Sequence, residues 1–328
     1  MADLFDRTDC FAEFAHIRSI LRYGDPAKCP SPQISVLIPQ YKRPEFLKKA
    51  LESILVQDYP GEFEIVIVDD DVRADNGVLE VVQSLDSDRI LYYQNEQNLR
   101  GYGNHNRCIE LARAENIVFC HNDDLLMPDA LSWLMSIKRS GREMIFSAHD
   151  NVDGDGNVAY RDSYPRKFLF FKEKPFSKAS LYYFFIQGSG CPTGWLMSRS
   201  ALMELGGGFR REYSPCADYA LLFRYTKDFG CILSNRPVYY YRVAENRSFE
   251  LYDVLSKRDR AILQDVKPYI HLPERLLDYL IDIRCRNTDA WNAVIFAHAD
   301  RSRLKAAPLR ERLCLKFFRI FAWAGRFV

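Results

Sequence analysis

Apolar residues in the first half of the chain come in short unbroken runs separated by stretches of helical spacing. Ile34-Ser35-Val36-Leu37-Ile38 is the first run, and Pro39 marks its end. Pro44 opens a stretch with apolar positions at Phe46, Leu47, Ala50, Leu51 and Leu55, one helical face with proline in its first turn. After Tyr59-Pro60-Gly61 comes Ile65-Val66-Ile67-Val68, closed by Asp69, Asp70 and Asp71. The pattern then predicts helices over 78–85, 103–114 and 128–140, leading to strands over 90–93, 117–120 and 144–148. Runs without polar alternation suit strands covered on both faces. The expected class is therefore α/β, a central, mostly parallel sheet flanked by helices. Ligands of such sheets gather at the carboxyl ends of the strands.

Past residue 150 the alternation weakens. Asp153-Gly154-Asp155-Gly156-Asn157 suggests a hairpin turn, and its spacing fails as a calcium loop. Helices are expected over 199–205 and 217–228, a strand over 238–243, and mostly helix from about 250 onward. Residues 1–31 suggest a short helical lead-in ending in a linker rich in proline and glycine.

Composition narrows the classes. Hydrophobic residues make up 48% and charged residues 27% of 328, values of a chain with a real core. A net charge of +1 argues against a nucleic-acid partner and against disorder. The nine cysteines are odd in number, widely spaced and without a C-x-x-C pair, so reduced buried thiols in a cytosolic protein are expected. Neither a signal peptide nor a long apolar span is apparent.

Three segments after strands carry candidate chemistry. Pro39-Gln40-Tyr41-Lys42-Arg43 offers a ring and two cations, suited to a nucleotide base and its phosphates or to an ordinary solvated turn. Asp69-Asp70-Asp71 can accept a base N–H or a ribose hydroxyl, or form a solvated acidic turn. His121-Asn122-Asp123-Asp124 offers hard oxygen ligands for Mg²⁺ or Mn²⁺, with His121 and Asn122 able to assist. Gly101-Tyr102-Gly103-Asn104-His105-Asn106 imitates a dinucleotide fingerprint but lacks its third glycine, and no P-loop is present.

Taken in order, these segments resemble the family-2 glycosyltransferases with the GT-A fold. The matching stretches are Ile34–Arg43, Ser53–Pro60, Glu64–Asp70, Val118–Asp124 with Pro128 and Leu131, Gly206-Gly207-Gly208-Phe209, and Ala217–Leu221. Together they cover roughly residues 32–245. The resemblance implies a GT-A catalytic domain over 32–245, its nucleotide-binding half over 32–125 and its acceptor half over 126–245. It implies an inverting transfer from a nucleotide-diphospho-sugar, with a UDP-sugar the expected donor, to a glycan or lipid-linked saccharide. Pro39, Tyr41 and Arg43 would line the nucleotide pocket, one of Asp69 and Asp70 would contact the base, and Asn98, Asn106 and Asn122 would complete that site. Asp123 would bind Mn²⁺ or Mg²⁺, with His121 and Asp124 as further candidate ligands, and Asp218 would be the general base. His121 replaces the first aspartate of the family's D-x-D motif, Ala217 replaces the usual acidic residue before the base, Lys42 stands where the family usually has asparagine, and His105 where it often has arginine. A non-catalytic nucleotide-sugar or glycan-binding module is the alternative from another class. A sugar-phosphate nucleotidyltransferase would want a glycine-rich basic motif that is missing.

The acceptor half is rich in aromatic residues, Phe168, Phe170, Phe171, Tyr182 to Phe185 and Trp195 among them, most of which suit a core. Within Gly188–Trp195, Gly194 and Trp195 are the candidate acceptor contacts, a close approach beside an aromatic platform. Residues 246–328 form the expected helical extension. Its last 28 residues hold eight basic side chains against Glu311 alone, with Leu309, Leu313, Phe317, Ile320, Phe321 and Ala324 on one helical face. That pattern suits an anionic membrane surface, which would place a cytoplasmic protein peripherally on the inner face of the cell membrane.

Overall fold

The computed structural model describes residues 3–152, 158–161, 175–187, 191–242 and 252–296, with 308, 311, 313, 314 and 317. The turn expected at 153–157, the aromatic residues Phe168, Phe170 and Phe171, the glycines at 188 and 190, and most of the basic tail lie outside the described residues. In chain order the elements begin with β1 (Ser19–Tyr23), β2 (Ile34–Gln40), α1 (Pro44–Leu55), β3 (Phe63–Asp69), α2 (Val78–Leu85) and β4 (Ile90–Asn95). Next come α3 (Arg100–Leu111), β5 (Asn116–Phe119), β6 (Leu125–Leu126), α4 (Ala130–Ile137), β7 (Met144–Val152), β8 (Val158–Arg161) and β9 (Phe176–Ala179). The remainder are α5 (Leu181–Gln187), β10 (Leu196–Ser198), α6 (Arg199–Glu204), α7 (Ala217–Phe229), β11 (Cys231–Arg242), α8 (Tyr252–Val266) and α9 (Glu274–Phe296).

The strands form one sheet in the order β1-β4-β3-β2-β5-β10-β7-β11-β6, with β8 on β7 and β9 on β11. Its heart, β4-β3-β2-β5, is parallel throughout. Val36, Ile38, Ile65 and Ile67 pack on one face with Leu47, Leu51, Val78 and Leu134. Leu37, Val66, Val68 and Phe119 pack on the other with Cys108, Ile109 and Leu221. Both faces are buried, which is why these strands show no polar alternation. Ile262, Leu263, Leu280 and Ile281 of α8 and α9 belong to the second layer, so the extension shares the core of the sheet rather than building its own.

Three expectations are corrected. Pro39 does not end the first strand, because it stays in parallel register opposite Val68 and β2 runs on to Gln40. The lead-in, expected to be helical, supplies an edge strand, with β1 antiparallel to β4. The strand expected at 238–243 is the second half of β11, which starts at Cys231 and pairs in parallel with β7. Register shifts on either side of Pro237, after the polar Ser234-Asn235-Arg236, disguise its first half.

One buried carboxylate locks the parallel heart to the lead-in. Glu64 is fully buried in β3 and accepts from the Ser35 hydroxyl at 2.5 Å, the Arg113 N–H at 2.9 Å and Arg113 Nε at 2.7 Å. Arg113 also donates to the carbonyls of Pro26 and Cys29, each at 2.9 Å. Removing one partner of such a pair strands the other. Glu64→Ala is expected to cost about 3–5 kcal/mol in urea denaturation, and a loss below about 1 kcal/mol would show that the pair is effectively solvated.

Candidate active site

The carboxyl ends of β2, β3 and β5 open onto a common edge. At the end of β2, Tyr41 is 38% exposed, and Lys42 and Arg43 both adopt left-handed backbone conformations, with φ of 60° and 57°. Such geometry is uncommon for side chains with a Cβ and needs external support. Gln40 Nε2 supplies it by donating to the Lys42 carbonyl at 2.5 Å, and Asn122 Nδ2 donates to Gln40 Oε1 at 2.7 Å. Asn122 thus holds the turn that presents the two cations.

The three aspartates after β3 have different environments. Asp69 accepts from the Asp71 N–H, Asn76 Nδ2 and the Tyr92 hydroxyl, at 3.0, 2.6 and 3.1 Å, so both its oxygens serve the protein. Asp70 uses one oxygen, Oδ1, to accept from the Leu99 N–H at 2.6 Å and Asn95 Nδ2 at 3.1 Å. Burial pushes both carboxyls up to about 6. Asp71 forms an ion pair with Arg73, whose hydrogen bonds hold its carboxyl below the usual range. Asn98 is exposed and donates to the Asp70 carbonyl at 3.0 Å, tying the two loops together.

In the turn after β5, the two aspartates also diverge. Asp123 is partly exposed, and Arg43 lies 3.5 Å from its carboxylate. Asp124 is buried and accepts from Thr193 Oγ1 at 2.6 Å and the Arg242 N–H at 3.1 Å. Burial pushes its carboxyl up to about 8, with Asp123 adding to the shift. Asp218 stands in the first turn of α7, partly exposed, and accepts its neighbour Tyr219's N–H at 2.8 Å. Burial pushes its carboxyl up to about 7 against that hydrogen bond, with Asp259 of α8 adding to the rise. Burial pushes the phenol of half-buried Tyr241 up, with Cys191, Asp124, Asp123 and Asp218 adding to the rise.

A family model described as glycosyl transferase family 2 matches residues 35–206, more than half of the chain. The chain belongs to glycosyl transferase family 2. An uncharacterised Mycobacterium tuberculosis protein is 32% identical over 202 residues, 59% of this chain and 61% of that one. The GalNAc(5)-diNAcBac-PP-undecaprenol β-1,3-glucosyltransferase of Campylobacter jejuni is 35% identical over 131 residues, 39% of this chain and 41% of that enzyme. The chain thus spans less than two thirds of the length of these two relatives. Among solved structures, Staphylococcus aureus TarS 1–349 in complex with UDP-GlcNAc superposes with a TM-score of 0.57 at 18% identity, covering 88% of this chain and 79% of that one. The Pyrobaculum calidifontis mannosyltransferase PcManGT, in complex with GDP-Man and Mn²⁺, gives 0.53 at 15% identity, covering 89% and 81%. At these identities the structural likeness establishes the shared GT-A fold.

Within this family-2 framework some expected site residues serve the scaffold instead. Asn106 is buried in α3 and grips the loop before α7: its Oδ1 accepts the N–H groups of Gly208 and Phe209 at 3.1 and 2.9 Å, and its Nδ2 donates to the Phe209 carbonyl at 2.7 Å. Trp195 is fully buried with its ring 5.2 Å from that of Phe146, so it is core and not an acceptor platform. Gly194 is buried too, and its positive φ of 74° and a Cβ position only 2.8 Å from Ser147 Oγ make it a packing requirement. The apolar strands on either side of this loop pull it inward, which a glycine-rich sequence does not reveal.

Sequence spacing also missed several contributors. Asn95 and Asn104 hold Asp70 and the strand ends, Thr193 and Cys191 flank Asp124, and Arg242 donates through Nε to the Asp123 carbonyl at 3.0 Å. Arg242 closes β11, and a polar residue at a strand's carboxyl end was the one signal that could have flagged it. The clamp role of Asn106 is separable from nucleotide binding. Asn106→Ala is expected to destabilise the fold by roughly 1–3 kcal/mol, the cost of orphaned buried backbone groups, while donor affinity by calorimetry stays within about twofold. A tenfold loss of donor affinity in a stable variant would return Asn106 to the nucleotide pocket.

Proposed function

We propose that this family-2 protein transfers a sugar from a nucleotide-diphospho-sugar, a UDP-sugar, to a hydroxyl of a saccharide or lipid-linked saccharide, inverting the anomeric centre. The observation that carries the reading is Asp218, a partly exposed carboxyl in the first turn of α7 that burial pushes up to about 7. TarS with UDP-GlcNAc and the Campylobacter jejuni enzyme, whose name specifies an undecaprenol-linked acceptor, support the donor and acceptor classes.

The geometry supports a role for each residue. The exposed Tyr41 ring offers a stacking face for the base, and Asp70, just past β3, is a carboxylate able to accept a base N–H. Lys42 and Arg43, fixed by Gln40 and Asn122, supply positive charge for the diphosphate. Asp123 suits Mn²⁺ or Mg²⁺, since it presents a hard, partly exposed carboxylate oxygen beside the cations that would meet the phosphates. Bound there, the ion would offset charge on the leaving nucleoside diphosphate. Asp124, committed to Thr193 and the Arg242 N–H, orients the turn instead of joining that shell. Asp218 takes the proton of the attacking hydroxyl. With one base and no second carboxylate assigned as nucleophile, a single displacement accounts for inversion.

The lipid-linked acceptor reading extends to the membrane surface. Leu313 and Phe317, four residues apart, are 56% and 53% exposed in the basic tail. We infer that this tail meets anionic lipid. No helix among the described residues is long and apolar enough to cross a membrane. Deleting residues 301–328 is expected to abolish co-sedimentation with anionic vesicles, and unchanged sedimentation would sink the idea.

Catalysis is tested at Asp218. Asp218→Asn is expected to lower kcat by about 10²–10⁴ with donor affinity nearly unchanged. Transfer needs ionised Asp218, so the wild-type rate should rise with pH through a midpoint near 7. Full activity in the variant, or a rate already flat from pH 5 upward, would remove Asp218 from the base role.

A further inference from the structure

The end of β5 is paired with a loop from the other half of the chain. Phe119 forms an isolated parallel bridge with Thr193, and the Gly194 N–H donates to the Phe119 carbonyl at 2.8 Å. This pairing lays residues 191–194 beside the His121–Asp124 turn. Thr193 Oγ1 fixes both ends of the contact, accepting the His121 N–H at 3.0 Å and donating to Asp124 Oδ2 at 2.6 Å. Cys191 Sγ then lies 3.1 Å from His121 Nδ1 and 3.6 Å from Asp124 Oδ2.

The tautomer of His121 follows from its neighbours. His105 Nδ1 is 2.6 Å from the Gly101 carbonyl, which can only accept, so His105 carries its proton on Nδ1 and accepts at Nε2. His121 Nε2 is 2.9 Å from His105 Nε2 and must be the donor. Neutral His121 therefore presents the lone pair of Nδ1 toward Cys191. A histidine whose second ring nitrogen is held as a donor, leaving the first as a directed lone pair, is the arrangement that orients metal ligands.

We propose that His121 Nδ1, Cys191 Sγ and a carboxylate oxygen of Asp124 form a binding site for a thiophilic divalent cation of the Zn²⁺ class. The candidate ligand atoms all lie within 4.8 Å of one another. A tetrahedral ion with ordinary zinc–nitrogen, zinc–oxygen and zinc–sulfur bonds separates its sulfur from each other ligand by about 3.6 Å. The sulfur–oxygen separation of 3.6 Å already meets that, and the sulfur–nitrogen separation of 3.1 Å needs a shift of a few tenths of an ångström. A mixed nitrogen, sulfur and oxygen set selects Zn²⁺ over hard cations, which favour oxygen alone. The site shares a turn with Asp123 but no ligand, since Asp123 faces Arg43. Binding exchanges the S–H bond of Cys191 for a sulfur–metal bond and releases the thiol proton to solvent. Three protein ligands leave a position for water or another oxygen donor. The inference stands apart from the glycosyl-transfer reading, because its test measures metal ligation and not turnover.

The test is Co²⁺ titration of the metal-free full chain, followed by absorption spectroscopy. A thiolate-to-cobalt charge-transfer band is expected in the near-ultraviolet, saturating at one ion per chain, erased by Zn²⁺ and resistant to excess Mg²⁺. Cys191→Ser should lose the band, and Cys29→Ser should keep it. His121→Gln should weaken Co²⁺ binding at least tenfold. His105→Ala removes no ligand but frees the orienting bond, and should weaken binding about 10–100-fold. Absence of the band in the wild type, its displacement by Mg²⁺, or its persistence unchanged in Cys191→Ser and His121→Gln would overturn the proposal. Should Cys191→Ser fail to fold, the histidine variants decide.

Discussion

Parallel strands that stop pairing inside a protein leave main-chain carbonyls with no partner, and a buried carbonyl must find one. At the carboxyl ends of β2 and β3 the Asp70 N–H serves the Gln40 carbonyl at 2.9 Å, and one side chain joins both strand ends. Asn104 Nδ2 donates to the carbonyls of Gln40 and Val68 at 3.2 and 2.9 Å, and its Oδ1 accepts from Asn95, which in turn donates to Asp70. This bond set ties together the ends of β2, β3 and β4, from which the candidate site loops start. Without it the loops carrying Tyr41, Arg43 and Asp70 would lack a fixed origin.

Asn104 is one of four consecutive α3 residues that reach in four directions. His105 meets His121, Asn106 grips the loop before α7, and Arg107 donates to the Phe14 and Ile17 carbonyls of the lead-in at 2.9 and 2.8 Å. Arg224 of α7 supports the same loop from below, donating to the carbonyls of Leu205 and Gly207 at 2.6 and 3.1 Å. Asp218, on the first turn of α7, is thereby indexed to the helix that indexes the nucleotide side. α9 adds a brace, with Arg284 donating to the Tyr219 hydroxyl and pairing with Asp259. Buried polar bonds thus link the candidate site loops to the first turn of α7, and such bonds specify geometry.

The strand–helix alternation of the first half was legible because burial on both faces removes polar residues from the strands and leaves them at the ends. The candidate loops stood out for the same reason, since Tyr41, Asp70 and Asp123 lie two or three residues past apolar runs. What lay hidden depended on contacts distant in sequence. Asn106 and Asp69 have the residue types of ligand contacts, but their partners at Phe209 and Asn76 show them to be internal acceptors and clamps. Trp195 looked like a platform because exposure cannot be read from one residue. Cys191 sits 70 positions from His121 and carried no local signal. The first half of β11 was lost to polar residues and Pro237, whose register shifts only the partner strand reveals.

The proposal that Asp218, a carboxyl near neutrality, acts as the general base predicts a single displacement at the anomeric carbon. The direct measurement is proton NMR of the glycoside formed from an isotopically defined nucleotide-sugar, recorded before any spontaneous anomerisation. A product of inverted anomeric configuration is expected from the start of the reaction. A product that retains the donor's configuration would contradict the assignment of Asp218 as a base acting on the acceptor, and with it the central claim.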